Sequence, residues 1–342
     1  SLVLVLRMAG TAEQLKQRGY KLVDAGDFSG ALTLFRKAAE QDSENAVLRE
    51  LCAQCLLQME RWDEAYLDAI QAQALDPSSF DSALTLGRAA RNAGYIQEAL
   101  KAFRSATTLD SSDPEAREEL GEIEKLWQRE VASRVGVDGL EIHESWGAAE
   151  GAGPGGVVWD CGVALGQCIT AGWPLRLQGR RVLELGAGTG IAGIVAAICG
   201  AHVTMTDLPS IVPSIKANID RNKLLMLSGG SASAEPLDWG GATPLPRARG
   251  ADASAWDVII GADLVYSADA VAPLAELLWR LGKESSPVFL MVHKSRGDSL
   301  DAEMDSTFRA RGLELRKHAW PVGLDQNAGL GLVVYTARMQ SG

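Results

Sequence analysis

Long apolar runs are missing from this chain. The longest, 191–201, spans about 11 residues and holds Gly193 and Gly200, whereas a membrane-crossing helix takes about 20. No membrane partner is expected. Positive charge is also scarce: 33 Lys+Arg stand against 44 Asp+Glu, a net charge of -11. That balance argues against a broad nucleic-acid footprint and leaves room only for a local basic patch. Histidine is rare. His143, His202, His293 and His318 are scattered, without metal-ligand spacing and without a HExxH or Ser–His–Asp signature, so no metal is expected. The five cysteines are odd in number and irregularly spaced, which suggests a reducing compartment, the cytoplasm or the nucleus. The remaining composition, 46% hydrophobic and 23% charged over 342 residues, is that of a globular protein with two to three domains. Residues 1–7 (SLVLVLR) lack the basic start and cleavage site of a signal peptide. Met8 is the expected start, and these seven are set aside.

The first half repeats itself. A shift of 34 residues superposes Ala31, Ala65 and Ala99, then Ala38, Ala72 and Ala106, then Asp42, Asp76 and Asp110. Phe35 and Phe103 coincide around Ala69, and Gly26 and Gly94 mark a turn where the middle unit has Glu60. Small residues let paired helices approach, while Leu34, Leu67, Leu100, Phe35 and Phe103 are expected to fill the gaps between them. A period of 34 with this pattern resembles the tetratricopeptide repeat. Three repeats and a polar helix over 114–134 make a capped solenoid, taken as a domain over 9–134. Such a solenoid implies a groove for a protein partner.

Co-chaperone repeats of this kind clamp an acidic C-terminal peptide with lysine, asparagine and arginine side chains. Here Lys16 is present, but Tyr20 and Leu51 replace the two asparagines, and Asp81 and Thr85 take the last two places. An aspartate repels an acidic peptide. Residues 12–130 carry 14 Lys+Arg against 22 Asp+Glu, so a basic partner surface, or a plain scaffold or dimerisation role, suits the half better. Cys52 and Cys55 form a lone CxxC inside a repeat helix, expected to be core packing.

From Gly155 on, strands and helices alternate. Strands are expected over 181–185, 202–206, 257–261, 287–293, 313–318 and 330–335, with helices over 190–199 and 271–281 and flexible loops over 228–234 and 240–255. This is the pattern of a parallel α/β sheet, which binds ligands at the carboxyl ends of its strands.

The chemistry centres on VLELGAGTG, 182–190. A strand ends and Gly186, Gly188 and Gly190 open into a helix, allowing a sharp turn and close ligand approach. Gly188, Gly190 and Gly193 also satisfy GxGxxG, so a nicotinamide dinucleotide is one reading. Glu184 beside the loop disfavours a pyrophosphate and suits an ammonium group. Asp207 ends the next strand, 21 residues after Gly186, where it can accept hydrogen bonds from ribose hydroxyls. S-adenosylmethionine has the ribose and the ammonium and no phosphate, and is the favoured cofactor.

Residues 138–338 resemble the seven-β-strand protein lysine methyltransferases of the methyltransferase-like 21 kind (methyltransferase family 16). The matching pieces run in order: VVWDCGVALGQCI (157–169), RVLELGAGTGIAGIVAAICGAHVTMTDLP (181–209), NIDRN (218–222), LDWG (237–240) and GADLVY (261–266). HKSR (293–296) matches loosely, and the repeats are not part of the usual family pattern. The resemblance implies a class I, Rossmann-like seven-stranded methyltransferase domain over 138–340 following the all-α repeat solenoid. It implies cofactor contacts from Trp159, Glu184, the three glycines, Asp207, Leu208, Asp238, Trp239 and Ala262. Trp159 covers the methionine end, with an ordinary core tryptophan as the alternative. Trp239 and Asp238 meet the adenine. Asp263 orients the acceptor amine beside Tyr266, whose alternative is a core residue below the pocket. Family members act on translation factors and chaperones, so a protein substrate is expected. A histidine or small-molecule acceptor, or a cofactor-binding adaptor without turnover, are the rival readings. Arg180, Arg181, Arg247, Arg249, Lys294 and Arg296 are candidates for a substrate mouth or a solvated surface.

Overall fold

The computed structural model describes residues 10–145, 153–241, 243–248 and 256–338. The expected start at Met8, and most of the last part of the 240–255 loop, lie outside the described residues. The chain forms two compact units, one ending at Trp127 and the other beginning at Gln128.

The first unit is helical: α1 (Ala12–Asp24), α2 (Phe28–Gln41), α3 (Ala46–Gln58), α4 (Trp62–Leu75), α5 (Phe80–Asn92) and α6 (Ile96–Leu109), followed by the start of α7 (Pro114–Val135). The six alanines that superpose at a 34-residue shift are all fully buried, because only a methyl group fits where paired helices cross. Size is matched across the pairs. Phe35 lies where a Cβ on Gly19 would stand, and Phe103 does the same at Gly87. Asp42, Asp76 and Asp110 each close the second helix of a repeat, and the Asp76 and Asp110 carboxylates accept from the Ser78 and Ser112 amides. Thr11 and Gln14 form a reciprocal cap on α1. Leu100 is buried and Leu34 packs on a small core beside α1, but Leu67 is 60% exposed. The expectation that Leu67 fills a gap is corrected: on α4 its position faces water, while Ala65, Ala69 and Ala72 supply the buried stripe.

The second unit is a seven-stranded sheet with helices on both faces. In chain order it contains α8 (Asp160–Thr170), β1 (Arg181–Leu185), α9 (Ile191–Ile198), β2 (His202–Asp207), α10 (Val212–Asn222), β3 (Ser231–Pro236), β4 (Val258–Ala262), α11 (Val271–Ser285), β5 (Val288–Lys294), α12 (Asp298–Ala310), β6 (Arg316–His318), α13 (Gln326–Gly329) and β7 (Leu332–Arg338). The strand order is β3-β2-β1-β4-β5-β7-β6. The central strands are covered on both faces, which is why they read as near-continuous apolar runs. Leu183, Leu185, Ile259, Phe289 and Met291 on one face join Leu274 and Leu278 of α11 and Met304 and Phe308 of α12 in one hydrophobic core.

Two expectations are corrected. The sheet is not all parallel: β7 inserts between β5 and β6 and runs antiparallel to both. Hydrophobic patterning reports burial, not strand direction. The stretch 228–234 is not all loop either, since β3 pairs in parallel with β2 from His202↔Ser231 to Asp207↔Pro236. As an edge strand of small polar residues it carries no apolar signal. It is held by the ladder and by hydroxyl contacts such as His202 Nδ1 to Ser231 Oγ at 3.0 Å.

Candidate functional site

The carboxyl ends of β2, β1 and β4 lie side by side, and the sequence-selected residues gather there. After β1 the chain passes through Gly186, Gly188 and Gly190 at φ +56°, +56° and +80°. Side chains rarely adopt such angles, and at Gly188 a Cβ would also stand 3.0 Å from the Gly155 carbonyl. Gly190 then caps α9.

Asp207 ends β2 and reaches back to this loop. Its Oδ2 accepts from the Gly188 amide at 2.8 Å and its Oδ1 from the Leu208 amide at 2.7 Å. Burial pushes its pKa up, opposed by those two amides. Each oxygen keeps a second lone pair, so a part-exposed carboxylate with one fixed hydrogen bond per oxygen suits a pair of vicinal hydroxyls. Leu208 beside it is half-exposed. Across the loop, the Trp239 ring lies 3.4 Å from where a Gly186 Cβ would be, next to Leu264. Asp238 braces this turn by accepting from the Gly240 amide at 2.9 Å.

Glu184 lies beside the loop and is 2% exposed, with its Oε2 facing Gly193. Burial pushes its carboxyl up to about 8, opposed by the Gly193 amide. The carboxyl sits between the loop and α9.

Ala262 is the last residue of β4, opposite Val292. Asp263 follows at φ +53°, a conformation uncommon outside glycine but several-fold enriched in aspartate. It is tied down on every side. Its amide donates to the Val292 carbonyl at 2.8 Å, its Oδ1 accepts from the Lys294 amide at 3.4 Å, and its Oδ2 pairs with Arg296. Tyr266 is 65% exposed and Trp159, just ahead of α8, is 52% exposed, so neither is the core residue of its alternative reading. The Cys161 thiol, second residue of α8, is pushed up by burial and then by the charge of Asp263, which places the start of α8 near Asp263.

Sequence reasoning left three supports without an assigned role. Arg296, a candidate for a substrate mouth or a solvated surface, pairs with Asp263. His293, in the loosely matching HKSR, lies between Asp263 and Asp301. Asn218, in a matching segment without a role, donates from Nδ2 to the Thr189 carbonyl in the glycine loop at 2.9 Å. The available signal was the place of NIDRN at the end of α10 and of HKSR across the end of β5.

A family model described as lysine methyltransferase matches residues 136–311, just over half of the chain. The chain belongs to the lysine methyltransferase family. Two tetratricopeptide-repeat models match residues 22–67 and 84–124 of this methyltransferase. It is 32% identical over 168 residues to protein N-lysine methyltransferase METTL21A of Danio rerio, covering 49% of this chain and 72% of that one. It is 34% identical over 153 residues to EEF1A lysine methyltransferase 3 of Xenopus tropicalis, covering 44% and 62%. In the repeat half, the solved first repeat domain of Spaghetti (RPAP3) bound to an HSP90 peptide is 26% identical, covering 34% of this chain and 95% of that one at a TM-score of 0.33.

The first unit of this methyltransferase carries a separate cavity of about 640 Å³, lined by Tyr20, Phe35, Leu51, Trp62, Thr85 and Arg88 among others. Three of the five clamp positions, Tyr20, Leu51 and Thr85, thus face it without a cation. Lys16 is paired with Glu13 at 2.7 Å and Asp81 is exposed. The arginines at the cavity are neutralised: Arg88 pairs with Glu115 and Glu119, and Arg91 with Glu119. The Cys52 and Cys55 thiols are buried and pushed up to about 12 and about 11, as core packing requires.

Proposed function

We propose that this methyltransferase uses S-adenosylmethionine to methylate a lysine side chain of a protein that its repeat unit recruits. The observation that carries the reading is the pair of strand-tip carboxylates: Asp207 bound to the glycine loop through Gly188, and Asp263 held at a left-handed φ two strands away. The first suits a ribose, the second an amine.

The residues present fit this cofactor. Asp207 keeps two acceptor sites for ribose hydroxyls, Trp239 and Leu208 supply apolar surface for an adenine, and Asp238 keeps Oδ2 for an amino group. Ala262 leaves room at the tip of β4, and Trp159 stands at the rim for the methionine end. Glu184 takes a positioning role, buttressing the loop. When bound, S-adenosylmethionine supplies an electrophilic methyl group on a sulfonium. The chain's own task is then positioning, which can contribute several kcal/mol to the barrier.

A free lysine titrates near 10.4, so the neutral, reactive amine is scarce at neutral pH. Arg296 beside Asp263 adds positive charge where an ammonium would sit and favours its deprotonation. Asp263 has acceptor capacity left beyond Arg296 and the Lys294 amide and orients the amine. Tyr266 and Trp159 close the rim against water.

We take 9–134 as the recruiting domain and 138–340 as the catalytic one. The similarity to a relative named for EEF1A supports a translation factor as the first protein substrate to test, with a chaperone as the second. The five free cysteines support a reducing compartment, the cytoplasm or the nucleus.

The test is incorporation of tritiated methyl into a cell protein extract, followed by identification of the methylated residue by mass spectrometry. Methyllysine formed by the native chain, lost in Asp263→Ala with the affinity for S-adenosylhomocysteine retained, is the expected result. Label recovered only in histidine or in small molecules overturns the lysine assignment.

A further inference from the structure

His293 on β5 is fully buried, at 0% exposure, and its ring stands between two carboxylates. Nε2 lies 3.2 Å from Asp301 Oδ1, and Nδ1 lies 3.8 Å from Asp263 Oδ1 with no hydrogen-bond partner of its own. Asp301, in the first turn of α12, is fixed in turn by the Ser295 hydroxyl, which donates to its Oδ2 at 2.5 Å. Burial works against ionisation of Asp301, but the bonds from Ser295 and His293 outweigh it and hold its carboxyl below the usual range. An ionised Asp301 accepts a proton-bearing Nε2, so the ring's orientation is set from outside and its Nδ1 edge is turned toward Asp263.

A buried ring nitrogen without a partner is uncommon. Here it is aimed at Asp263, the one residue among the described strand tips of the site that is left-handed without being glycine, a conformation that persists only when its surroundings hold it. The Asp263 amide is held by the buried Val292 carbonyl, but its carboxylate is held from the end of β5 and the chain just beyond it, by the Lys294 amide and the Arg296 guanidinium, and both of those residues are exposed to solvent. His293 is the interior neighbour of the carboxylate.

We propose that His293, braced by Asp301, is a positioning residue whose Nδ1 edge sets where the Asp263 carboxylate stands for the acceptor amine. The inference rests on the reading of Asp263 as the amine-orienting residue. No group is transferred through the imidazole: its contribution is placement.

Two amide substitutions separate this role from packing. In His293→Asn the side-chain amide falls near the place of Nδ1 and keeps a polar edge toward Asp263. In His293→Gln it falls near the place of Nε2 and keeps only the bond to Asp301. A packing role ranks glutamine above asparagine, because it leaves the smaller void. Positioning through Nδ1 ranks them the other way. Full-length variants are assayed with tritiated S-adenosylmethionine and a titrated cell protein extract, and S-adenosylhomocysteine binding is followed by calorimetry. Asn is expected to keep the plateau rate within about three-fold of the native chain, while Gln and Asp301→Ala lower it about ten-fold or more, with half-saturation and S-adenosylhomocysteine affinity unchanged.

The inference is overturned if Gln transfers as well as Asn, or if Asp301→Ala is as active as the native chain while Asp263→Ala is inactive. Should Asp263→Ala itself stay active, the reading of Asp263 falls and this inference with it. If the histidine variants do not fold, the ring nitrogen shifts of His293 in the native chain and in Asp301→Ala decide. A change in tautomer on removing Asp301 supports the brace, and identical shifts refute it.

Discussion

Asn218 of α10 donates from Nδ2 to the Thr189 carbonyl at 2.9 Å, inside the loop that precedes α9. The same side chain brackets the backbone of His143, donating to its carbonyl and accepting from its amide, both at 2.9 Å. One turn on, Asn222 makes the matching pair with Glu141, at 2.6 and 3.0 Å. A fully buried amide thus ties the segment around His143 to the glycine loop.

Replacing Asn218 with alanine leaves the buried Thr189 carbonyl and the part-buried His143 amide and carbonyl without this partner, and a buried unsatisfied group costs about 1–3 kcal/mol. The variant should lose at least about 2 kcal/mol of stability in denaturant titration, and bind S-adenosylhomocysteine more weakly because the loop loses an anchor. Calorimetry showing unchanged affinity would remove Asn218 from the support of the loop.

The Glu184 carboxyl makes stability depend on pH. Burial moves its pKa from 4.5 up to about 8 in the folded chain, so between these values the folded state keeps a proton that the unfolded state has shed. Its contribution is complete below 4.5 and is lost as pH rises to about 8. Glu184→Gln cannot titrate. Scanning melting temperature across that window, the native second unit should fall relative to the variant, and parallel curves would place the carboxyl in a more polar setting than the one seen.

Glu60 occupies the turn that Gly26 and Gly94 make in the neighbouring repeats, and all three are left-handed, at φ +57°, +78° and +83°. Left-handed backbone costs a side-chain-bearing residue about 1–2 kcal/mol, partly offset by the greater freedom of unfolded glycine. Glu60→Gly should therefore stabilise the repeat unit by up to about 1 kcal/mol, read as a rise in its thermal midpoint. A fall would mean the exposed Glu60 side chain contributes more than its backbone costs.

Gly87 is demanded by its neighbour. A Cβ there would stand 2.6 Å from the Phe103 ring, which cannot move away inside a packed crossing. Gly87→Ala should destabilise the repeat unit by about 1–3 kcal/mol, and Phe103→Leu in the same chain should recover part of that loss. Additive losses in the double variant would contradict a direct clash.

The repeat register was legible because small-residue periodicity is local: alanine is required wherever two helix axes cross, and a shift of 34 exposes it. The same holds for the three glycines, whose positive φ angles leave few other residues possible, and for Asp207 and Asp263, each placed by the end of an apolar strand. The burial of Glu184 was not legible, because a strand residue next to the loop can point to either side of the sheet, and the crowding of Gly193 and Met205 beside it is not a sequence pattern.

Periodicity and backbone chemistry therefore determined by themselves that this chain holds a helical repeat and a glycine-loop α/β domain, since both signals act over a few residues. The tertiary structure alone decided that β7 runs against its neighbours, that the polar segment Ser231–Pro236 is a strand, and that Asn218, His293, Arg296 and Asp301 converge on the site. Those are contacts between residues far apart along the chain, and only the folded path brings their hydrogen-bonding groups together.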